Sequence, residues 1–528
     1  MTNPTSVKTP IRFYSLAFVV LLSLSGGAYV FSDPGTIDRF LGNESATVDD
    51  CGPGEIKSCC VGIPSRSELL RVALAAQAAV AEKAEAEASE SPTYSKDVAL
   101  ILQKHCQECH RGDQIGPFPM MTYEQARKRA ADIALVTDLR RMPPWPASPD
   151  YGPGFAHDRS LSGEEIEILN AWAEAGALEG TPDDLPPPRE FTSGWTIGEP
   201  DLIIEMPEDF EVPADGPDIY RCFVIPLDLP EDVQVVGLEY RPGNPSVVHH
   251  ILGYVDVHGK ARKLDEADPD RPGYDCFGGP MIDIHGDLGG WAPGSNAEVL
   301  PEGVGRILPA KADIVLQVHY HPSGKAETDR SRIGLKLAPR DQSIRQAFHW
   351  WAVGDMDFTI PADVSSYELV TQTLPLPVDV QLLKVSPHMH LLGKMMEMWA
   401  EPPEGKTFAD GTNRMDLIRI DHWDFNWQLQ YQLIEPIDLP AGSVVKARAR
   451  YDNSENNPHR PLDAEGQPMD VRFGEATTDE MCFGFFGMVK TGQDLTRADE
   501  EDDLLKILYR QLKEFEEHQK AKSAEADD

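Results

Sequence analysis

The stretch from Ile314 to Tyr320 reads IVLQVHY and is rich in the β-branched and apolar residues that form a buried strand. A similar stretch runs from Val233 to Tyr240, and Pro- and Gly-containing turns separate such stretches between residues 189 and 495. This region is too long for one small antiparallel sandwich. We therefore predict two antiparallel β sandwiches, over 189–345 and 346–495.

Composition sets broad limits on fold and function. At 528 residues the chain exceeds the usual size of a single domain, and its 44 Pro and 42 Gly favour many turns over long helices. Lys and Arg total 48 against 87 Asp and Glu, which leaves a net charge of −39 that opposes binding to a phosphate backbone. Nucleic acid is therefore excluded as a partner.

Residues 1–32 have the layout of an export segment. Lys8 and Arg12 precede an uncharged, apolar stretch from Phe13 to Ser32. Because this stretch is long enough to cross a bilayer as a helix, a cleaved signal peptide and a retained membrane anchor both fit. In either case we expect a periplasmic protein, or a membrane-anchored one that faces outside the cytoplasm.

Residues 33–93 combine three cysteines with a helical spacer. Cys51, Cys59 and Cys60 are too tightly and irregularly spaced for a usual zinc pattern, which favours disulfides or surface thiols over metal binding. The Ala- and Glu-dominated stretch from Leu69 to Glu90 predicts a helix that we interpret as a spacer.

Two further regions have helical patterns. In residues 94–188, apolar residues recur at three- and four-residue spacing, as at Ile166, Leu169 and Trp172, before a Pro-rich linker. In the acidic tail, residues 496–528, the apolar stripe consists of Leu504, Leu508, Leu512 and Phe515. A solvated tail and a docking helix both remain open there.

One motif in residues 94–188 carries redox chemistry. The sequence CQECH places Cys106 and Cys109 one helical turn apart with His110 directly after, so both thiols can form thioethers to a haem while the histidine binds iron. A zinc site would need two further ligands, and a disulfide would leave His110 unexplained. The motif therefore predicts one covalently bound haem c.

The expected sixth ligand of a high-potential haem iron is a thioether. Met142, in the rigid sequence RRMPPWP, is the predicted ligand, whereas Met120 and Met121 lie nearer to His110 and are expected to pack as core. With its final helix LSGEEIEILNAWAEAGA, the region 94–180 resembles a class I cytochrome c. The resemblance implies a small all-α cytochrome c domain.

Histidines cluster in the strand-like sequence. The clusters are His249 and His250 in SVVHHILGY, His319 and His321 in LQVHYHPSGK, and His388 and His390 in SPHMHLLGK. Residues two apart on a strand share a face, so the last pair can bind one ion, whereas the adjacent pair points to opposite faces unless its strand is distorted. Imidazole with a thioether suits copper, and Met481 in TTDEMCFGFF offers such a ligand for Cu(I).

From Gly198 to Val489 these residues resemble the copper type II monooxygenases, the family of peptidylglycine α-hydroxylating monooxygenase and dopamine β-monooxygenase. The resemblance implies two jelly-roll sandwiches with one copper ion each. It assigns an electron-transfer copper to His249, His250 and His319, and an oxygen-binding copper to His388, His390 and Met481.

The resemblance also bears on the cysteines and on His321. Cys222 and Cys276 match half-cystines of the family, which implies a disulfide between them, while the partner of Cys482 is missing and we expect a free buried thiol. His321 has no counterpart among the family's ligands, so we expect it at the surface or beside a ligand rather than as an extra ligand.

Two functions follow for the whole chain. The resemblance implies an exported monooxygenase that hydroxylates a C–H bond with O2, taking electrons from ascorbate or a redox protein through the haem and the three-histidine copper. The alternative is a non-catalytic haem/copper electron-transfer or copper-handling protein, which does not need two differently built copper sites.

Three residues bear on the substrate. Amidating members of the family hold a peptide carboxylate with an Arg, an Asn and a Tyr, where this chain has Ser386, Phe483 and Phe485. A desolvated carboxylate needs hydrogen-bond donors, and two phenylalanines provide none. Whether the phenylalanines contact substrate or only fill core, we expect a small neutral or apolar substrate.

Overall fold

The structure is a computed structural model that describes residue 71 and residues 91–526, apart from 113, 115, 192, 193, 285, 340 and 341. The predicted export segment, the cysteines at 51, 59 and 60, and all but one residue of the predicted spacer helix lie outside the described residues. Within the described part of the chain, no helix combines the length and the apolar character needed to cross a membrane.

Helices lie before and after the main β region, and one short helix interrupts it. They are α1 (Ala99–His105), α2 (Tyr123–Arg127), α3 (Ala130–Asp138), α4 (Gly163–Glu174), α5 (Lys260–Glu266) and α6 (Leu504–Ala526). A π-helical turn, Tyr94–Val98, precedes α1, and a 3-10 turn, Pro182–Asp184, follows α4. Helix α4 begins where the sequence indicates, because Ser162 and Glu165 form a reciprocal capping box.

The strands form two consecutive groups. The first group is β1 (Leu202–Glu205), β2 (Phe210–Val212), β3 (Ile219–Pro226), β4 (Val233–Arg241), β5 (Val248–Asp256), β6 (Tyr274–Asp275), β7 (Asp287–Trp291), β8 (Glu298–Val299), β9 (Val304–Leu308), β10 (Asp313–Tyr320), β11 (Glu327–Asp329) and β12 (Arg332–Leu337). The second is β13 (Gln346–Asp355), β14 (Thr359–Ile360), β15 (Tyr367–Gln372), β16 (Val380–His388), β17 (Gly393–Glu401), β18 (Met415–Ile420), β19 (Tyr431–Leu439), β20 (Val444–Tyr451), β21 (Val471–Arg472) and β22 (Cys482–Lys490).

One sheet runs through both groups of strands. It has nine strands in the order β1-β12-β4-β9-β13-β22-β16-β19, with β8 paired to β4. The link is a short parallel pair, β9 with β13, in which Gln346 lies opposite Val304. A five-stranded sheet (β6-β3-β10-β5-β7) completes a first sandwich, and a four-stranded sheet (β15-β20-β17-β18) completes a second. Each sandwich has its own buried apolar core.

A buried charged cluster lies where the two sandwiches meet. Glu298 of β8 accepts hydrogen bonds from Arg306 of β9 and from Lys384 of β16, and all three side chains are buried. Because Lys384 belongs to the second sandwich and Glu298 to the first, this cluster joins them.

The prediction of a small all-α cytochrome c domain over 94–188 is wrong. Strands make up 33% of the structure and helices only 15%, and the described residues from 91 onward belong to one compact unit. Between α3 and α4 the chain crosses the second sandwich, where Ala147 bridges to β18 and Phe155 to β19. With Trp145, these side chains are buried in that sandwich's core. The helices bury a small apolar cluster of their own around Leu102, Leu169 and Trp172. Because the chain between α3 and α4 is buried in the sandwich instead, the region does not close into a separate all-α domain.

The C-terminal helix α6 docks on the second sandwich through its first turns. Leu504 and Leu508 are buried in that core, and Gln511 Nε2 donates to Pro375 O at 2.8 Å. Leu512 and Phe515 of the predicted apolar stripe remain exposed. Of the four residues of the stripe, the first two therefore dock on the sandwich and the last two do not.

Candidate metal centres

The three histidines of the first predicted copper site lie side by side on two paired strands. His319 is on β10, and His250 lies opposite it on β5. The pairing then slips by one residue, because Tyr320 pairs with Val248 and His249 is left as the extra residue of a β-bulge. This bulge is the distortion that lets two adjacent histidines share a site.

The Nδ1 atoms of these histidines converge. His250 Nδ1 lies 3.4 Å from His249 Nδ1 and 3.3 Å from His319 Nδ1, and ligand atoms of all three residues lie within 4.8 Å of one another. Lone pairs on facing imidazole nitrogens repel unless a proton or a cation lies between them. The arrangement suits a metal ion bound through three nitrogens.

Asp218 holds His319 from the other side of the ring. His319 Nε2 donates to Asp218 Oδ2 at 2.9 Å, and His319 Nδ1 on the opposite side of the ring faces His250. His321 Nδ1 donates to Asp218 Oδ1 at 2.7 Å, and the His321 side chain is 72% exposed. Burial alone would raise the pKa of Asp218, but the hydrogen bonds from both histidines hold it well below its usual range. His321 thus lies beside the ligands rather than among them.

Burial keeps His249 and His250 of the first set neutral near pH 7. It lowers the pKa of His249 to about 4 and holds that of His250 well below its usual value. A neutral imidazole is the form that binds a metal ion. Tyr220 stacks on His319 with ring centroids 4.2 Å apart, which further fixes that ring.

The second predicted set lies at the end of β16. His388 is the last residue of this strand, and its ring centroid is 5.2 Å from that of His390. His388 Nδ1 donates to Gln428 Oε1, and His390 Nδ1 donates to Asp479 O at 3.1 Å. Both rings therefore keep Nε2 free, whereas the first set presents Nδ1. Burial lowers the pKa of His388 to about 3 and also lowers that of His390.

The backbone of Met481 lies beside that of His390. His388 pairs with Phe483 in the antiparallel ladder of β16 and β22, so continuing that register brings His390 opposite Met481. The buried carboxylate of Glu480 binds both residues, since its Oε2 accepts the N–H of His390 at 2.9 Å and that of Met481 at 3.2 Å. Burial raises the pKa of Glu480 to about 8. Met481 itself is 7% exposed.

One short segment, which we call the aromatic loop (423–430, WDFNWQLQ), contacts both histidine sets. The ring of Phe425 lies 5.1 Å from that of His249 and 5.8 Å from that of His390, measured between centroids. Trp423 Nε1 donates to His390 O at 3.1 Å. The same loop supplies Gln428, the partner of His388. The two sets therefore face each other across one phenylalanine ring.

Ser386, Phe483 and Phe485, the residues that bear on the predicted substrate, share a sheet face with His388. Ser386 lies opposite Phe485, and His388 opposite Phe483. The two phenylalanine rings stack 5.8 Å apart, and that of Phe485 lies 6.3 Å from the His388 ring. Because Phe485 is 36% exposed, it does not merely fill core.

The CQECH motif directly follows α1. His110 Nδ1 donates to Phe118 O at 2.9 Å, which leaves Nε2 free. Cys106 and Cys109 are free thiols, and burial raises the pKa of Cys106 to about 12. Two unpaired thiols and an imidazole with a free Nε2 fit a covalently bound haem.

Met142 lies in the turn after α3, half-buried, where its N–H donates to Val136 O at 3.1 Å. Its role as sixth iron ligand stays a prediction. Met120 is buried among the helices, as expected, and its carbonyl accepts a hydrogen bond from Gln107 Nε2.

Arg159 connects the CQECH region with the first sandwich. Its carbonyl accepts a hydrogen bond from His105 Nδ1 at 3.0 Å, and its guanidinium donates to Gly294 O at 2.7 Å and to Asn296 Oδ1 at 2.8 Å. Gly294 lies against the aromatic loop, since a Cβ at this position would be 3.5 Å from the ring of Trp427. The CQECH region is thus joined through Arg159 to the loop that contacts both histidine sets.

The cysteines outside this motif have two different states. Cys222 and Cys276 form a disulfide with their Cα atoms 5.9 Å apart, as the resemblance implies. Cys482 is a free, buried thiol.

Sequence reasoning missed the residues that orient the ligands: Asp218, Phe425, Gln428, Asp479 and Glu480. Glu480 directly precedes Met481, and this adjacency is a signal that could have drawn attention to it. Asp218 lies 101 residues before His319, and no spacing rule connects the two.

Comparisons with known proteins add no assignment. No protein-family model matches the chain, and no curated protein matches it. Solved structures with some likeness include that of infectious bursal disease virus Gx strain, at 10% identity and a TM-score of 0.18, covering 56% of this chain and 73% of that one. Another is the major capsid protein P2 of bacteriophage PM2, at 10% identity and a TM-score of 0.19. This match covers 55% of this chain and 100% of that one. Likeness at these TM-scores carries no argument about fold or function.

Proposed function

We propose that the protein is a copper-dependent monooxygenase that uses O2 to hydroxylate a C–H bond of a small neutral or apolar substrate. The observation that carries this proposal is the pair of differently built ligand sets on either side of Phe425. One set presents three Nδ1 atoms, and the other presents two free Nε2 atoms beside Met481. A simple carrier of copper or of electrons needs only one such set.

The donor types support copper at both sets. Imidazole and thioether are ligands that copper accepts in both of its oxidation states, and a weak thioether favours Cu(I), the state that reacts with O2. The chain's own residues do the positioning: Asp218, Gln428 and the carbonyl of Asp479 select which nitrogen each imidazole presents.

Haem is part of the proposal. Cys106 and Cys109 would attach it, His110 and Met142 would bind its iron, and it would supply a one-electron carrier. Arg159 and Gly294 join this region to the aromatic loop, which supports a relay fed by ascorbate or a redox protein. Export belongs to the same proposal and rests on the N-terminal sequence alone.

The surroundings of His388 support the substrate class. Phe485 presents a partly exposed ring beside this histidine, stacked on Phe483, so an apolar surface adjoins the ligand set that would react with O2. Such a surface stabilises an apolar substrate by burial and offers a carboxylate no hydrogen bond.

Metal analysis with oxygen uptake tests the proposal on the full chain. We expect two coppers and one haem per chain, and ascorbate-driven O2 uptake that needs copper. In anaerobically reduced protein, haem should be reoxidised by O2 only when copper is loaded. Full loading with both metals but no catalytic O2 uptake would contradict the proposal and favour a non-catalytic haem/copper electron-transfer protein.

A further inference from the structure

The loop between β21 and β22, residues 473–481, reaches from the second sandwich to the first. Thr477 Oγ1 donates to Asp218 Oδ2 at 2.9 Å, and Tyr220 OH donates to Glu475 O at 3.2 Å. Asp218 and Tyr220 both contact His319 of the first set. This loop therefore touches the support of the three-histidine site.

Both oxygens of the Asp218 carboxylate accept hydrogen bonds. Its Oδ1 accepts from His321, and its Oδ2 accepts from both His319 and Thr477. A hydrogen bond to a charged acceptor is stronger and more directional than one between neutral groups. Displacing Thr477 would therefore alter the carboxylate that orients His319.

The other end of the same loop builds the second set. The Asp479 carbonyl accepts from His390 Nδ1, the Glu480 carboxylate binds the backbone of His390, and Met481 ends the loop. Thr477 thus lies four residues before Met481 of the second set. It also donates a hydrogen bond to Asp218, which orients His319 of the first set.

We infer that Thr477 is a positioning residue that couples the two ligand sets. A metal ion on the first set fixes His319 and, through it, Asp218; Asp218 then holds Thr477 and steadies the loop that presents Met481 and His390. Because coupling between two binding sites is reciprocal, a metal ion on the second set strengthens binding to the first by the same factor. The inference rests on the proposed function in taking both sets as copper sites, but it needs no catalysed reaction.

A double-mutant cycle on the full chain tests this coupling. Cu(I) is titrated against a chromophoric chelator into the wild type, Thr477→Val, His250→Ala and the double variant, and copper–sulfur scattering in X-ray absorption reports filling of the methionine set. With His250 intact, Thr477→Val should weaken Cu(I) binding to that set about fivefold or more. In the His250→Ala background, where the first set is disabled, Thr477→Val should have little effect.

Matched variants separate coupling from general damage to the loop. Thr478→Val, at an exposed neighbour, should leave the affinity unchanged, and Thr477→Ser, which keeps the hydroxyl, should keep the coupling. Asp218→Asn should reproduce the loss and serves as the second variant if Thr477→Val does not fold. In Thr477→Val, the Cu(II) spectrum of the three-histidine set in paramagnetic resonance should change as well.

Two results would overturn the inference. Equal effects of Thr477→Val in both backgrounds would mean that it only damages the loop, and no effect in either would mean that the sets are independent. Both results leave the monooxygenase proposal standing if copper binds and O2 uptake persists. Absence of copper binding at both sets would remove the inference and the proposed function together.

Discussion

The ring of Phe425 lies nearly flat against the ring of His249, with the two planes inclined by only 22°. The ring of His390 also contacts Phe425, but edge-on, with the two ring planes inclined by 80°. A single side chain of the second sandwich therefore restrains one imidazole of each ligand set.

Removing this ring should loosen the first set. We expect Phe425→Ala to broaden the Cu(II) resonance spectrum of the three-histidine site and to weaken its copper affinity, because His249 loses the surface that fixes its plane. The copper affinity and the spectrum of Phe425→Leu should lie between those of the wild type and those of Phe425→Ala. Phe515→Ala, at an exposed position on α6, is the control and should leave the spectrum unchanged. A wild-type spectrum in Phe425→Ala would show that the contact does not position His249.

Copper-dependent O2 uptake should require the thioether of Met481. Replacement by Ile keeps the bulk of the buried side chain but removes the thioether, so Met481→Ile should abolish copper-dependent O2 uptake while haem spectra and the three-histidine copper remain. Met469→Ile changes an exposed methionine in the same way and should be silent. Undiminished turnover in Met481→Ile would exclude Met481 from the reaction.

Met142 should determine the haem spectrum. We expect Met142→Ala to lose the sulfur-to-iron charge-transfer band and to lower the haem potential, since a thioether ligand raises it. Met121→Ala provides the comparison. If the band survives in Met142→Ala and vanishes in Met121→Ala, the ligand assignment changes accordingly.

Glu298→Gln should destabilise the junction of the sandwiches. Removing the negative charge leaves Lys384 buried without its partner and Arg306 with only the longer contact to Asp287 at 3.8 Å, which costs about 3–5 kcal/mol of unfolding free energy. Glu205→Gln, at an exposed position, should change stability by no more than about 0.5 kcal/mol. Denaturant unfolding measures both, and similar values for the two variants would contradict the role of the cluster.

The Glu298 contribution should also depend on pH. Burial alone would raise the pKa of Glu298, but Arg306 and Lys384 outweigh it and hold the pKa at about 2, below its usual 4.5. A lowered folded-state pKa stabilises the fold fully above the unfolded-state value and less as the pH falls towards the folded-state value. The stability gap between wild type and Glu298→Gln should therefore shrink from about pH 4.5 towards pH 2, as unfolding curves at each pH can show.

The substrate prediction concerns charge. Because Phe483 and Phe485 beside His388 offer a carboxylate no hydrogen bond, glycine-extended peptides should not be amidated, whereas neutral apolar compounds should stimulate O2 uptake. Product analysis by mass spectrometry checks this. Efficient amidation that depends on copper and is lost in Met481→Ile would refute the substrate class.

Short-range patterns predicted the strands and singled out histidines that the fold brings together. The composition of IVLQVHY indicated a buried strand, and β10 is buried along its full length. The His249–His250 pair required a distorted strand, and the slip between β5 and β10 supplies that distortion. In both cases the information lies within a few residues.

Contacts between residues that are distant in sequence could not be predicted from local patterns. Trp145 lies in a Pro-rich stretch between helices, and nothing in its local sequence indicates that it is buried in a β sandwich. Asp218 and Phe425 act on ligands that are distant in sequence. Their roles depend on how the two sandwiches meet, which periodicity does not encode.

The parallel pairing of β9 with β13 has a consequence for motion. Since one hydrogen-bonded sheet passes from the first sandwich into the second, and the Glu298 cluster crosses the same boundary, a hinge between the sandwiches would have to break backbone hydrogen bonds and a buried ion pair. Domain closure is therefore costly in this architecture. Under the proposed function, O2 and substrate would therefore reach the histidine sets through rearranged side chains and loops rather than through a hinge between the sandwiches.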